Sequence, residues 1–149
     1  MEGNRKSIIY VDDIHFGLVT AKDRLRKHYE ISVAQSVGKM FEIVEYFLDR
    51  RNTSPDLILL DLNMPEVDGY DAIKGLKRET RYAGIPIIVL SSKRDKKTME
   101  MMMELGAADI VAKPFSDAHL IRRIEYQLDP DKKIKTNRSS LPSTTIPAY

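Results

Sequence analysis

Five polar side chains stand where short apolar runs of this sequence end, and together they could perform phosphoryl chemistry. Asp12 and Asp13 follow the run IIYV, Asp61 follows LILL, Ser91 follows IIVL, and Lys113 follows IVA. Carboxylates bind hard divalent cations, lysine brings a point charge to a phosphoryl oxygen, and a hydroxyl donates a hydrogen bond to the same group. If tertiary structure gathers these residues, they favour group transfer to a carboxylate.

Asp61 is the candidate nucleophile of this set. A carboxylate that attacks phosphorus forms an acyl phosphate, and positioning with charge neutralisation does most of what phosphoryl transfer requires. Three carboxylates in one crevice would repel each other, so we expect a cation among them. Mg2+, or Mn2+ in its place, suits oxygen ligands, and the sequence offers no histidine or cysteine cluster to a softer metal.

The apolar runs predict five strands. Four of the runs suit strands that are buried on both faces, whereas the run YEISVAQ alternates as a half-exposed strand does. The predicted strands cover residues 7–11, 29–35, 57–60, 86–90 and 109–112. Each strand is followed by a helical pattern, so the chain reads strand and helix in strict alternation.

The helices are predicted from apolar spacing and from their capping residues. The first has Ile14, Leu18, Ala21 and Leu25 on one face, which we expect to be buried. Ser36 can cap the second helix, and Gly106 can stop the fourth in a left-handed conformation. The predicted helices cover 14–28, 37–48, a segment that begins near Tyr70 after a loop at 63–69, 93–105, and 116 or 117 to 128.

This pattern predicts an α/β fold, a (βα)5 flavodoxin-like doubly wound parallel sheet with strand order 2-1-3-4-5. The order suits the sequence because its one alternating strand, the second, then lies at an edge. The first and third strands become neighbours about 4.8 Å apart. Asp12, Asp13 and Asp61 are therefore expected to converge at the carboxyl edge of the sheet.

Composition limits the classes of protein that need to be considered. The 149 residues are 42% hydrophobic and 31% charged, which suits one domain, and no apolar run approaches the roughly 20 residues that cross a bilayer. We expect a cytoplasmic protein without membrane contact. Residues 1–128 are predicted to form the domain and 129–149 a basic Pro/Ser/Thr-rich tail or linker. That tail carries the whole net charge of +2, so direct nucleic-acid binding is not expected.

The motifs, taken in order, resemble the receiver domain of bacterial two-component response regulators, which has the fold of the chemotaxis regulator. The matching elements are Asp12-Asp13, the segment DLNMPEVDG that begins at Asp61, Ser91, and the segment KPF that begins at Lys113. The resemblance covers residues 7–128. It implies a phosphoacceptor in phosphorelay signalling rather than an enzyme with turnover: the domain catalyses only its own phosphorylation and dephosphorylation.

The resemblance also implies individual roles. Asp61 would accept a phosphoryl group from a histidine kinase or phosphotransfer protein. Asp13, Asp61 and the backbone carbonyl of Asn63 would ligate Mg2+, with Asp12 acting mainly through water. Asn63 and Lys93 occupy the positions that tune phosphoryl lifetime in this family. The Lys113-Pro114 peptide bond is expected to be cis.

Two features concern how a signal would leave the site. Where the family usually has a switching Tyr or Phe, this sequence has Ile110, which puts aromatic switching in doubt, although Ser91 can still move. The fourth helix is rich in methionine, either as filler of a loose core or as a partner face formed by Met99, Met101 and Met103. In the family the face of helix four, strand five and helix five serves downstream protein targets or homodimers.

Simpler interpretations exist for each residue taken alone. An acidic pair after a strand often caps the next helix, and an aspartate often forms a turn. Ser91 could cap the fourth helix, and Lys113 could be a solvated lysine.

Other protein classes fit less well. A haloacid dehalogenase-type phosphohydrolase carries its nucleophile after the first strand in a DxD motif, and a flavodoxin needs a Ser/Thr/Gly-rich phosphate loop there; this chain has DDIHFG. Two alternatives stay open: a receiver fragment of a larger regulator whose output domain is absent, and a pseudo-receiver scaffold that is not phosphorylated.

Overall fold

Five strands and five helices alternate along the described part of the chain, as the sequence predicts. The structure, a computed structural model, describes residues 5–62, 66–92, 95–129 and 131. The strands are β1 Ser7–Val11, β2 Glu30–Ala34, β3 Leu57–Asp61, β4 Ile87–Ser91 and β5 Asp109–Ala112. The helices are α1 His15–Leu25, α2 Val37–Arg50, α3 Glu66–Arg78, α4 Lys96–Leu105 and α5 Asp117–Leu128.

The strands form one parallel sheet in the order β2-β1-β3-β4-β5, which confirms the predicted doubly wound topology. Val11 pairs with Leu60 across β1 and β3, and Asp61 pairs with Leu90 across β3 and β4. All strands run in one direction, so their carboxyl ends share an edge. Asp12, Asp61, Ser91 and Lys113 therefore reach the same edge from four different strands.

The hydrophobic core lies in two layers, one on each side of the sheet. Successive strand residues point to opposite faces, so Leu57 and Leu59 enter one layer while Ile58 and Leu60 enter the other. Helices α1 and α5 cover the first layer, and α2, α3 and α4 cover the second. Strands β1, β3 and β4 are buried along their whole length, which explains why they read as continuous apolar runs.

Side-chain caps start three of the helices. Ser36 Oγ accepts from Lys39 N at 3.1 Å, Asp95 Oδ2 from Thr98 N at 2.9 Å, and Ser116 Oγ from His119 N at 3.0 Å. Because Asp95 caps α4, Ser91 does not serve as its cap. Gly106 ends α4 with φ at 120°, in the left-handed region that was predicted.

The start of α3 differs from the prediction. The helix begins at Glu66 rather than near Tyr70, so Gly69 lies inside the helix and not in a loop. An ideal Cβ at Gly69 would lie 2.4 Å from Leu62 Cδ2, so glycine allows the helix to pack closely on the end of β3.

Two other corrections concern β4 and α1. Strand β4 starts at Ile87, one residue later than expected; Pro86 has no N–H for the ladder, although its carbonyl accepts from Ile58 N at 3.0 Å. In α1, Leu18, Ala21 and Leu25 are buried as predicted, but Ile14 is 49% exposed because it precedes the first helical residue.

Candidate functional site

Asp61 is the centre of the carboxyl edge of the sheet. It is the last residue of β3 and only 3% exposed. Its Oδ1 is paired with the ammonium of Lys113, and its Oδ2 accepts a hydrogen bond from the Tyr10 hydroxyl at 2.7 Å. A turn-forming surface aspartate would not be buried between two side-chain donors, so the simpler interpretation of Asp61 is not what the structure contains.

Lys113 follows β5, an outer strand of the sheet, and reaches along the carboxyl edge to Asp61. Its side chain is 22% exposed, and its backbone N–H donates to the carbonyl of Ser91 at 2.9 Å. The Lys113-Pro114 peptide bond is cis, as predicted. The lysine is thus held at the edge by its own backbone, and its charge is directed at the carboxylate of β3 rather than into solvent.

Asp12 is buried beside the start of α1. It is 1% exposed, its Oδ1 accepts from Ile14 N at 3.0 Å, and an ideal Cβ on Gly17 would lie 2.3 Å from its Oδ2. This bond between Asp12 and the residue two positions on is an Asx-type turn that leads the chain into α1, whose N-cap residue Ile14 makes no side-chain cap. Gly17 leaves the space in which this carboxylate lies.

Of the three carboxylates expected to converge, Asp12 and Asp61 are both buried at this edge. Asp13 is exposed, and the described residues contain no group of three or more His, Cys, Asp or Glu side chains placed to hold a metal ion. The physical reason is local: Asp12 turns toward Ile14, and both oxygens of Asp61 already accept hydrogen bonds. The available donors are still carboxylate oxygens, the ligand type that Mg2+ prefers.

Tyr10 is a member of the site that the sequence analysis missed. It lies in β1, 6% exposed, on the same face of the sheet as Asp61. Burial, reinforced by the charge of Asp61, raises the pKa of Tyr10 well above its ordinary value of 10.0. The phenol therefore stays protonated and donates a hydrogen bond to Asp61. One signal was available: a single tyrosine among the aliphatic residues of β1.

A cavity of about 580 Å3 opens beside these groups and extends between α1 and α5. Tyr10, Asp12, Asp61 and Lys113 line its polar end, and Phe16 lines it farther along α1. Phe16 is 77% exposed. Phe16 was not among the predicted site residues, although an aromatic outside the predicted apolar face of α1 was a signal for it.

The remaining predicted site residues have mixed outcomes. Ser91 is 3% exposed and ends β4, next to β3 at the same edge. Ile110 is buried in the core layer under α2, α3 and α4. Asn63 and Lys93 lie outside the described residues, as does the predicted tail except Asp129 and Asp131.

The predicted methionine face is corrected by burial. Met99 is 4% exposed and Met102 1%, so both pack into the core, whereas Met101 is 37% exposed and Met103 is partly buried. The core under α4 thus takes up most of the apolar side of the helix, and Met99 contributes nothing to an exposed patch.

Comparisons with known proteins agree with this fold. Residues 8–125 match the family model described as the response regulator receiver domain. A "Probable cyclic di-GMP phosphodiesterase" of Vibrio cholerae is 31% identical over 94% of this chain, which spans 31% of that protein. The response regulator SaeR of Staphylococcus aureus is 42% identical over 52% of this chain, a match that spans 33% of that protein. The chain thus spans about a third of the length of these relatives.

A solved structure has the same fold. The CheY-like response regulator receiver domain protein of Methanospirillum hungatei superposes with a TM-score of 0.73 at 23% identity, over 87% of this chain and 98% of that one. Receiver domains are generally not enzymes, and this chain spans only 31% of the phosphodiesterase named above. In the part of the chain that the structure describes, no helix has the length and apolar character to cross a membrane. The chain belongs to the family of response regulator receiver domains of two-component systems.

Proposed function

We propose that this receiver domain is a phosphoacceptor and that Asp61 is the residue that accepts the phosphoryl group. The observation that carries the proposal is the buried Asp61 carboxylate paired with Lys113 at the mouth of a cavity. In the transfer, a carboxylate oxygen of Asp61 bonds to phosphorus, the P–N bond of a donor phosphohistidine breaks, and its electron pair stays on the imidazole nitrogen. Lys113 then balances the charge of the new phosphoryl oxygens, and Ser91 donates to the same group.

We also propose a magnesium site made of Asp12, Asp13, Asp61 and the backbone carbonyl of Asn63, with Mn2+ able to replace Mg2+. The bound ion would supply charge neutralisation during transfer. Two of these carboxylates line one cavity, which supports the proposal. Asp13 is exposed and directly follows Asp12 at the end of β1, so it is proposed to supply the third carboxylate.

The phosphodonor is proposed to be a histidine kinase or phosphotransfer protein that docks on α1. Ile14, Phe16 and Val19 are exposed apolar side chains there, at 49%, 77% and 49%. Phe16 also lines the cavity that contains Asp61, so a partner seated on it has direct access to the acceptor.

Asn63 and Lys93 are proposed to set phosphoryl lifetime. The face of α4, β5 and α5 is proposed to bind a downstream target or a second copy of the chain.

The domain is proposed to comprise residues 1–128, with 129–149 as a tail or linker. The end of α5 at Leu128 and the family match to residue 125 support this boundary. Because the chain spans about a third of its curated relatives, an output domain elsewhere in a longer protein is an alternative within the same proposal.

The test is phosphorylation of the full chain with Mg2+ and acetyl phosphate, followed by intact mass measurement. The wild type should gain the mass of one phosphoryl group, and Asp61→Asn should gain none. Asp56→Asn is the matched control. Asp56 lies immediately before the same strand, and its Oδ2 accepts a hydrogen bond from Ser7 N–H at the opposite edge of the sheet. Modification that persists in Asp61→Asn would place the acceptor elsewhere, and a wild type that is never modified would favour a pseudo-receiver scaffold.

A further inference from the structure

The Tyr10 hydroxyl is a polar group inside the site for which packing gives no reason. Its neighbours on the same face of the sheet, among them Ile8, Leu59 and Leu90, are aliphatic. An aliphatic residue at position 10 would serve the core equally well and would not need a hydrogen-bond partner. The hydroxyl is instead directed at Asp61 Oδ2, 2.7 Å away.

The two oxygens of Asp61 therefore have different partners. Lys113 holds Oδ1 and Tyr10 holds Oδ2, and both contacts are screened from water because Asp61 is 3% exposed. A divalent cation that binds this carboxylate has to displace one donor or share an oxygen with it. Under the proposed function Lys113 is retained for the phosphoryl group, so Tyr10 is the donor that is displaced from Oδ2 or shares it with the cation.

We propose that Tyr10 is a positioning residue that occupies Asp61 Oδ2 and competes with the divalent cation for it. The inference rests on the proposed function of Asp61. The hydrogen bond from the Tyr10 hydroxyl holds the Asp61 carboxylate in one orientation and lowers the affinity of the site for Mg2+. Removing the hydroxyl while keeping the ring should then make Mg2+ binding tighter.

The experiment is calorimetric titration of the full chain with MgCl2, using the wild type, Tyr10→Phe, Tyr29→Phe and Asp61→Asn. Tyr29 is the matched control: it is also 6% exposed and belongs to the same core layer. Tyr10→Phe should lower the dissociation constant for Mg2+ about tenfold, the order expected when one competing hydrogen bond to a charged group is lost. Tyr29→Phe should bind as the wild type does. Thermal melting of each variant checks that it is folded.

The outcomes separate the two proposals. Equal Mg2+ affinity in the wild type and Tyr10→Phe, or weaker binding in Tyr10→Phe, overturns the role of Tyr10 while leaving Asp61 as a ligand of the proposed magnesium site if Asp61→Asn loses binding. A merely structural role of the hydroxyl would give unchanged or weaker binding, never tighter. Absence of Mg2+ binding in every variant, the wild type included, overturns this inference together with the proposed magnesium site.

Discussion

The ammonium of Lys113 is paired with the Asp61 carboxylate although 52 residues separate them in the chain. The pair exists because β3 and β5 run parallel with β4 between them, so that their carboxyl ends meet at one edge. Lys113 crosses the end of β4 to make the contact, while its backbone is bonded to Ser91. This relationship links a short sequence motif near the carboxyl end to the candidate acceptor in the middle of the sheet.

Breaking this pair should cost both stability and phosphorylation. We expect Lys113→Met to lower the free energy of unfolding by about 3 kcal/mol, since it leaves a buried carboxylate without its cation. Urea denaturation measures this loss. Acetyl phosphate labelling of the folded variant should fall at least about tenfold, because one charge-assisted contact to the phosphoryl group is lost.

The double variant Lys113→Met/Asp61→Asn is the control for the stability effect. It removes the unpaired charge as well, so most of the lost stability should return. A double variant as unstable as Lys113→Met alone would show that the lysine stabilises the fold through other contacts.

Phe16 should matter for transfer from a protein donor and not for a small one. Because its side chain is 77% exposed, Phe16→Ala should change the free energy of unfolding by no more than about 0.5 kcal/mol. Labelling by acetyl phosphate should match the wild type, while transfer from a phosphorylated kinase or phosphotransfer protein should slow about tenfold. Tyr46→Ala, at a 55% exposed aromatic of α2, should leave both rates unchanged. Equal transfer by both variants would exclude α1 as the docking surface.

Gly17 and Gly38 should respond differently to alanine although both lie in the first turn of a helix. An added Cβ at Gly17 meets Asp12 Oδ2 at 2.3 Å, whereas at Gly38 the nearest atom is Ser36 Oγ at 3.9 Å. We expect Gly38→Ala to be neutral or to stabilise by up to about 1 kcal/mol. Gly17→Ala should destabilise by about 1 kcal/mol, because the Asp12 carboxylate must move and release Ile14 N–H. Equal melting temperatures for the two variants would contradict this account.

Glu30 should make the domain less stable in acid. Hydrogen bonds from Arg51, and then from Ser7, hold the pKa of Glu30 below its ordinary value of 4.5. A carboxyl whose pKa is lower in the folded state contributes its full stability above the unfolded pKa and loses it as pH falls through the folded pKa. The free energy of unfolding should therefore decrease as pH drops below about 4.5, and part of that decrease should be absent in Glu30→Gln.

Urea denaturation at several pH values between neutral and strongly acidic measures this contribution. Glu104→Gln, at an exposed position of α4, is the control and should keep the acid dependence of the wild type. If Glu30→Gln and the wild type lose stability in parallel as the pH falls, the contacts of Glu30 do not contribute to the pH dependence of the free energy of unfolding.

Local sequence patterns determined the elements and their order. Continuous apolar runs identified the buried strands, alternation identified the edge strand, and capping residues such as Ser36 and Gly106 marked helix ends. These signals are readable because they depend on neighbours within a few residues. The strand order followed from these elements. Because the carboxyl ends of parallel strands share one edge, the motif residues Asp61 and Lys113 could then be assigned to it.

The tertiary structure alone decided which atoms individual side chains contact. Gly69 looked like a loop residue, and only the approach of Leu62 explains its place inside a helix. Met99 could be read as core or as partner face and is core, and Tyr10 looked like a strand residue and is bonded to the candidate acceptor. Each outcome depends on which atoms the fold brings to the same space or the same hydrogen bond, and sequence spacing carries no information about that competition.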